Sequence, residues 1–184
     1  MKLIAFQRRH PTSIAGPRLG LSENLPHTSI LQCPYLPNLD YSEFLEFVPD
    51  CVESEFTSFF LQPIGWLFAG IRKTDKLQQI QNELFDATKH LIDRTQIAPT
   101  SDLSDLPNLE CENYLAYGYR YIGEAFLPHV TIGTTRSSTR QPREEAVSDF
   151  DRTFAGTKVV YNRAVFYEAG DYGALKRIVS IRSL

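Results

Sequence analysis

The sequence makes one statement twice. Leu25-Pro26-His27-Thr28-Ser29-Ile30 returns as Leu127-Pro128-His129-Val130-Thr131-Ile132, a little over half the chain further on. Four of the six positions are identical, and a fifth exchanges one small hydroxyl residue for another. Only four histidines occur in the 184 residues, and two of them fall in this element. Along a strand, side chains alternate between faces. His27 and Ser29 therefore point one way and Thr28 and Ile30 the other. The same alternation separates His129 and Thr131 from Val130 and Ile132. A single copy would read as an ordinary strand with a core or surface histidine. A second copy is better explained by pseudo-symmetry.

Two such strands facing each other offer two imidazoles and two hydroxyls around one cavity. That set suits phosphoryl chemistry. A neutral histidine can take a proton from the attacking oxygen while a protonated one gives a proton to the leaving oxygen. Histidine has both forms accessible near neutrality. Hydroxyls and backbone N–H groups can hold the non-bridging oxygens. The pair manages the protons, so neither a metal nor a cofactor is expected. His10, before Pro11 in a loop, and His90, in a long helix, lack neighbours at metal-ligand spacing, so no structural zinc is expected. There is no GxxxxGK[ST] loop and no GxGxxG, which argues against ATP- or NAD-dependent chemistry and against an ATP-driven ligase.

A formal net charge of −3 argues against binding long duplex DNA but leaves room for a nucleotide in a local basic pocket. Cys33, Cys51 and Cys111 are far apart and form no CxxC, as in a reduced, cytoplasmic protein. The N-terminal apolar stretch is too short for a signal peptide, and no apolar run can span a bilayer, so no membrane partner is expected.

The pattern of apolar residues predicts strands at 3–7, 26–32, 56–61, 65–71, 127–133, 158–168 and 174–181, the last two joined by a hairpin turn at Gly170, Asp171 and Gly173. It predicts helices at 41–48 with Asp40 as cap, at 75–96 capped by Thr74 or Asp75, at 114–121 and at 144–150. Residues 10–24 read as a loop. This order suggests an α+β fold with mixed, mainly antiparallel sheets flanked by helices.

The HTS at 27–29 and HVT at 129–131 resemble the paired His-x-Thr/Ser motifs of the 2H phosphoesterase superfamily. LFAGIRKTDKLQQIQNEL looks like that family's strand and helix between the motifs, FLPHVTIG like its second motif block, and AVFYEAGDYGALKRIVSI like its closing hairpin. The resemblance covers most of residues 22–184. It implies one bilobal domain over 1–184, with two pseudo-symmetric lobes and the active groove between them. It further implies His27 and His129 as an acid–base pair and Ser29 and Thr131 as phosphate ligands. The implied substrate is a 2′,3′-cyclic phosphate or 2′-5′ linkage of a nucleotide or RNA end, acted on by a monomer. Cyclic oligonucleotides, an ADP-ribose cyclic phosphate, and an RNA- or nucleotide-binding module without turnover are the alternatives.

A base can stack on an aromatic ring. Tyr35, Tyr121 and Phe126, next to the motifs, are the first candidates, with Trp66, Tyr119, Tyr167 and Tyr172 behind them. Arg136 and Arg140 are surface arginines that can also meet a phosphate tail.

Overall fold

A computed structural model describes residues 2–21, 24–62, 65–99, 103–104, 106–135, 140–170 and 174–184, with the backbone alone at 140–143. Arg136, the Arg140 side chain, Pro63, Tyr172 and the Asp171–Gly173 part of the hairpin turn lie outside the described residues.

The fold is α+β. Strands β1 (Ile14–Ala15), β2 (Val52–Leu61), β3 (Trp66–Ile71), β4 (His129–Thr135) and β5 (Lys158–Tyr161) form an antiparallel sheet in the order β1-β4-β3-β2-β5. Strands β6 (Arg163–Ala169) and β7 (Leu175–Ser183) form a separate antiparallel hairpin. The helices are α1 (Lys2–Arg9), α2 (Asp75–Thr88), α3 (Asn108–Tyr117) and α4 (Arg140–Thr153). The two sheets are unequal among the described residues. Duplication is visible in the two motif segments rather than in matching sheets.

Alternation along the central strands sorts their side chains into two layers. Leu67, Ala69 and Ile71 of β3 and Val130 and Ile132 of β4 join the main core with Phe6 of α1 and Phe150 of α4. Phe6 meets Phe59 and Phe150 edge-on at 5.3 and 5.5 Å, a geometry that aromatic quadrupoles favour. Phe68, on the opposite face of β3, packs with Tyr119, Tyr121 and Ile122, and Trp66 lies against this second cluster.

Several elements differ from expectation. The predicted strand at 3–7 is α1. Its buried residues, Leu3, Ile4, Phe6 and Gln7, fit a helical stripe, and a short apolar run does not distinguish the two forms by periodicity. Gln7 is fully used: its Nε2 donates to Pro17 O and Ile132 O, and Leu19 N donates to its Oε1. The strand at 26–32 shrinks to a single antiparallel bridge between Thr28 and Val130. Pro26 and Pro34 at its ends have no N–H to extend a ladder.

Thr74 Oγ1 caps α2 by accepting from Leu77 N. The helix ends at Thr88, whose hydroxyl donates to Leu84 O, and a 3-10 turn at Lys89–Leu91 follows. The predicted helix at 41–48 is a 3-10 turn, Glu43–Phe47, with Asp40, two residues before the N-cap position Ser42, accepting from Ser42 N and Oγ. The helix placed at 114–121 begins earlier and stops at Gly118, in the left-handed conformation (φ 73°) that commonly closes helices. The single strand placed at 158–168 breaks at Asn162, where the chain leaves the large sheet for the hairpin. Gly133 sits at φ 152° beside a register shift between β3 and β4. A Cβ there would run into the Ala15 carbonyl oxygen, so the close approach of β1 requires glycine.

Candidate active site

The Thr28–Val130 bridge sets the two copies of the repeat side by side. Residues opposite one another in antiparallel pairs share a face. Val130 belongs to the main core. His27, Ser29, His129 and Thr131 all line one groove of about 220 Å³ on the other face.

The Leu-Pro-His order does local work in both copies. His27 Nδ1 donates to Leu25 O at 2.7 Å, and His129 Nδ1 donates to Leu127 O at the same distance. The intervening proline fixes its own φ, which restricts how the leucine carbonyl can sit beside the ring. A carbonyl only accepts, so each bond holds the proton on Nδ1. Nε2 is then the nitrogen with which each ring can meet a ligand.

The surroundings break the symmetry. His129 is 8 % exposed and stacks on Phe68 with ring centres 3.7 Å apart, while the Tyr121 ring meets it edge-on at 5.4 Å. Burial pulls the His129 pKa down to about 4; the Leu127 carbonyl opposes this, and Arg120 and His27 reinforce it. Its resting form is neutral. His27 is only half-buried. Its Nε2 lies 3.1 Å from the Tyr167 hydroxyl, which is also 3.2 Å from Ser29 Oγ. With a neutral ring, Tyr167 donates to His27 and Ser29 donates to Tyr167. Burial raises the pKa of Tyr167, so its proton stays available for that bond.

The opposite wall comes from the segment after α3. Asn113 Nδ2 donates to Arg120 O and Ile122 O, both at 3.0 Å, and so ties this segment to the helix. The Arg120 guanidinium lies 4.5 Å from the Tyr121 ring centre. Its Nε is 3.7 Å from Glu110 Oε2, beyond hydrogen-bond distance. Tyr119, Arg120 and Tyr121 all line the groove, and among the described residues no carboxylate does. Arg120 was missed by sequence reasoning, which looked for cations after the second motif. The available signal was a lone arginine between two tyrosines shortly before that motif.

The three stacking candidates separate. Tyr121 lines the groove, but its ring is buried under Arg120 and against His129. Phe126 is 2 % exposed within the main core and does not reach the groove. It lies four residues before Val130, on a segment that turns inward. Tyr35 also lies elsewhere: its ring packs against Phe44 and Phe166, and its hydroxyl bonds Thr88 Oγ1. Trp66 and Tyr114, both half-exposed, are aromatic residues that do line the groove.

His90 is exposed, and His10 is engaged by Asp149 at 2.8 Å. Among the described residues, no three His, Cys, Asp or Glu side chains gather as a metal site. Nor is any helix among them long and apolar enough to cross a membrane. The three cysteines form no disulfide. No protein-family model and no curated protein sequence matches this chain.

Proposed function

We propose that this chain is a metal-independent phosphodiesterase acting on a 2′,3′-cyclic phosphate or 2′-5′ linkage of a nucleotide or RNA end. The observation that carries this reading is the juxtaposition of two imidazoles, each with Nδ1 tied to the carbonyl two residues back, and two hydroxyls in one groove. The paired motifs and their resemblance to 2H phosphoesterases support the same reading.

For a cyclic phosphate, neutral His129 takes a proton at Nε2 from the attacking water as its oxygen bonds to phosphorus. The P–O bond to one ribose oxygen breaks. Protonated His27 gives its Nε2 proton to that oxygen, leaving a phosphomonoester and a free hydroxyl. His129 is assigned the base because burial keeps it neutral. Ser29 and Thr131 donate to the non-bridging oxygens, where charge grows in the transition state. Substrate entry releases Ser29 and His27 from Tyr167.

The test is a panel of 2′,3′-cyclic nucleotides, 2′-5′ oligoadenylates and cyclic dinucleotides, assayed with EDTA. Turnover of at least one class is expected to persist in EDTA. His27→Ala and His129→Ala are each expected to lower kcat about 10²–10⁴-fold, the usual weight of a positioned acid or base. Loss of activity in EDTA, or near-normal turnover by either variant, sinks the mechanism.

A further inference from the structure

The groove holds more donors than one phosphodiester uses. The attacking and leaving oxygens are served by the histidines and the two non-bridging oxygens by Ser29 and Thr131. Three further polar atoms on consecutive residues remain: Tyr119 OH, Arg120 Nη1 and Tyr121 OH. Each is buried; Tyr119 OH and Arg120 Nη1 have no hydrogen-bond partner within the protein, and the Tyr121 hydroxyl has only the Arg120 guanidinium beside it. Tyr119 and Tyr121 are only 8 % and 3 % exposed. Burial raises both phenol pKa values, so both stay protonated donors. Leaving buried donors unpaired is costly. Three together, one carrying a full charge, mark a place where a ligand supplies the acceptors. Arginine and hydroxyl donors suit an anion with several oxygens.

We propose that Tyr119, Arg120 and Tyr121 form a second anion-binding corner, so that the preferred substrate is a nucleotide phosphodiester carrying a further phosphate group. This rests on the phosphodiesterase reading for its substrate class but not for its binding chemistry. Arg120 Nε faces Glu110 Oε2 at 3.7 Å, so the guanidinium can keep that contact while Nη1 is the donor left for the ligand.

The binding test uses non-reacting probes: adenosine 3′-monophosphate and adenosine 3′,5′-bisphosphate, titrated calorimetrically at fixed salt. The bisphosphate is expected to bind at least 10-fold more tightly to the wild type. Arg120→Gln is expected to bring that ratio to within about twofold. Tyr119→Phe removes a hydroxyl without a protein partner and Tyr121→Phe one whose only neighbour is Arg120, so both should keep the packing; each is expected to lower the ratio severalfold. A wild-type ratio near one, or a ratio unchanged in all three variants, overturns the proposal. In parallel, turnover of adenosine 2′,3′-cyclic phosphate is compared with that of its 5′-phosphorylated form, and a lower KM is expected for the latter. If neither these nor any member of the panel above is hydrolysed while the binding ratio and its loss are seen, the phosphodiesterase reading falls and the anion corner stands.

Discussion

At the residue scale, the two histidines share one local hydrogen bond and differ in everything around it. His129 lies on Phe68 and near the Arg120 charge, and its pKa falls from 6.5 to about 4. As a base it must be neutral, so kcat/KM is expected to hold as pH drops through 6 and to fall only near pH 4. Phe68→Ala uncovers one ring face and should move this acid limb upward by about one pH unit, a shift of about 1.4 kcal/mol. Proton NMR titration of His129 checks the assignment independently of turnover. An acid limb at 6.5 in the wild type, with His129 titrating there, would refute it. The same shift acts on stability. The unfolded ring gains its proton before the folded one, so stability is lost as pH falls from about 6.5 to 4. The loss is roughly 3 kcal/mol if the full shift is realised.

At the element scale, the β6–β7 hairpin matters because it brings Tyr167 to His27 and Ser29. Arg182 of β7 anchors the hairpin to the body. Its Nη1 donates to Leu45 O at 2.9 Å and to Val48 O at 2.6 Å, and its Nη2 to Asp50 Oδ1 at 2.7 Å. Arg182→Ala leaves two carbonyls without this donor and is expected to cost about 1–3 kcal/mol, read by chemical denaturation. It should also lower kcat/KM severalfold, because Tyr167 loses its placement. Arg182→Lys restores one of these bonds and should recover part of both losses. Unchanged stability in Arg182→Ala would show that the hairpin is held by packing alone.

At the scale of the whole molecule, the sheet divides two tasks. One face carries the groove, and α1 and α4 cover the other. These helices are joined by Asp149, which accepts from His10 Nε2 at 2.8 Å, Arg9 Nη2 at 2.9 Å and Arg152 Nη2 at 2.8 Å. His10 is the main cause, with Arg9 and Arg152 behind it, of a carboxyl held well below its ordinary range. A depressed carboxyl contributes stability above its unfolded value near 3.8 and loses it as pH falls further. Asp149→Asn is therefore expected to lower stability by about 1–2 kcal/mol at pH 7 and to flatten the acid side of the stability profile. Catalysis, on the far face, should be untouched. A variant with wild-type acid sensitivity would place that sensitivity elsewhere.

What the sequence alone determined is local. The Leu-Pro-His repeat dictates a tethered Nδ1 at both copies, because a proline and a carbonyl two residues back act within a few bonds. Alternation puts Val130 and Ile132 in the core and His129 with Thr131 on the other face. Thr74 and the spacing of Leu77 and Ile80 mark a capped helix. The tertiary structure decided what depends on residues far along the chain. It made Leu3–Gln7 a helix, because a short apolar run takes the form its neighbours bury best. It reduced the first motif strand to one bridge, yet set that bridge directly against the second motif. It buried Phe126, occupied Tyr35, and brought Arg120 into the groove, none of which periodicity encodes. It also made the two histidines unequal, since desolvation and charge are sums over surroundings assembled only when the chain has folded.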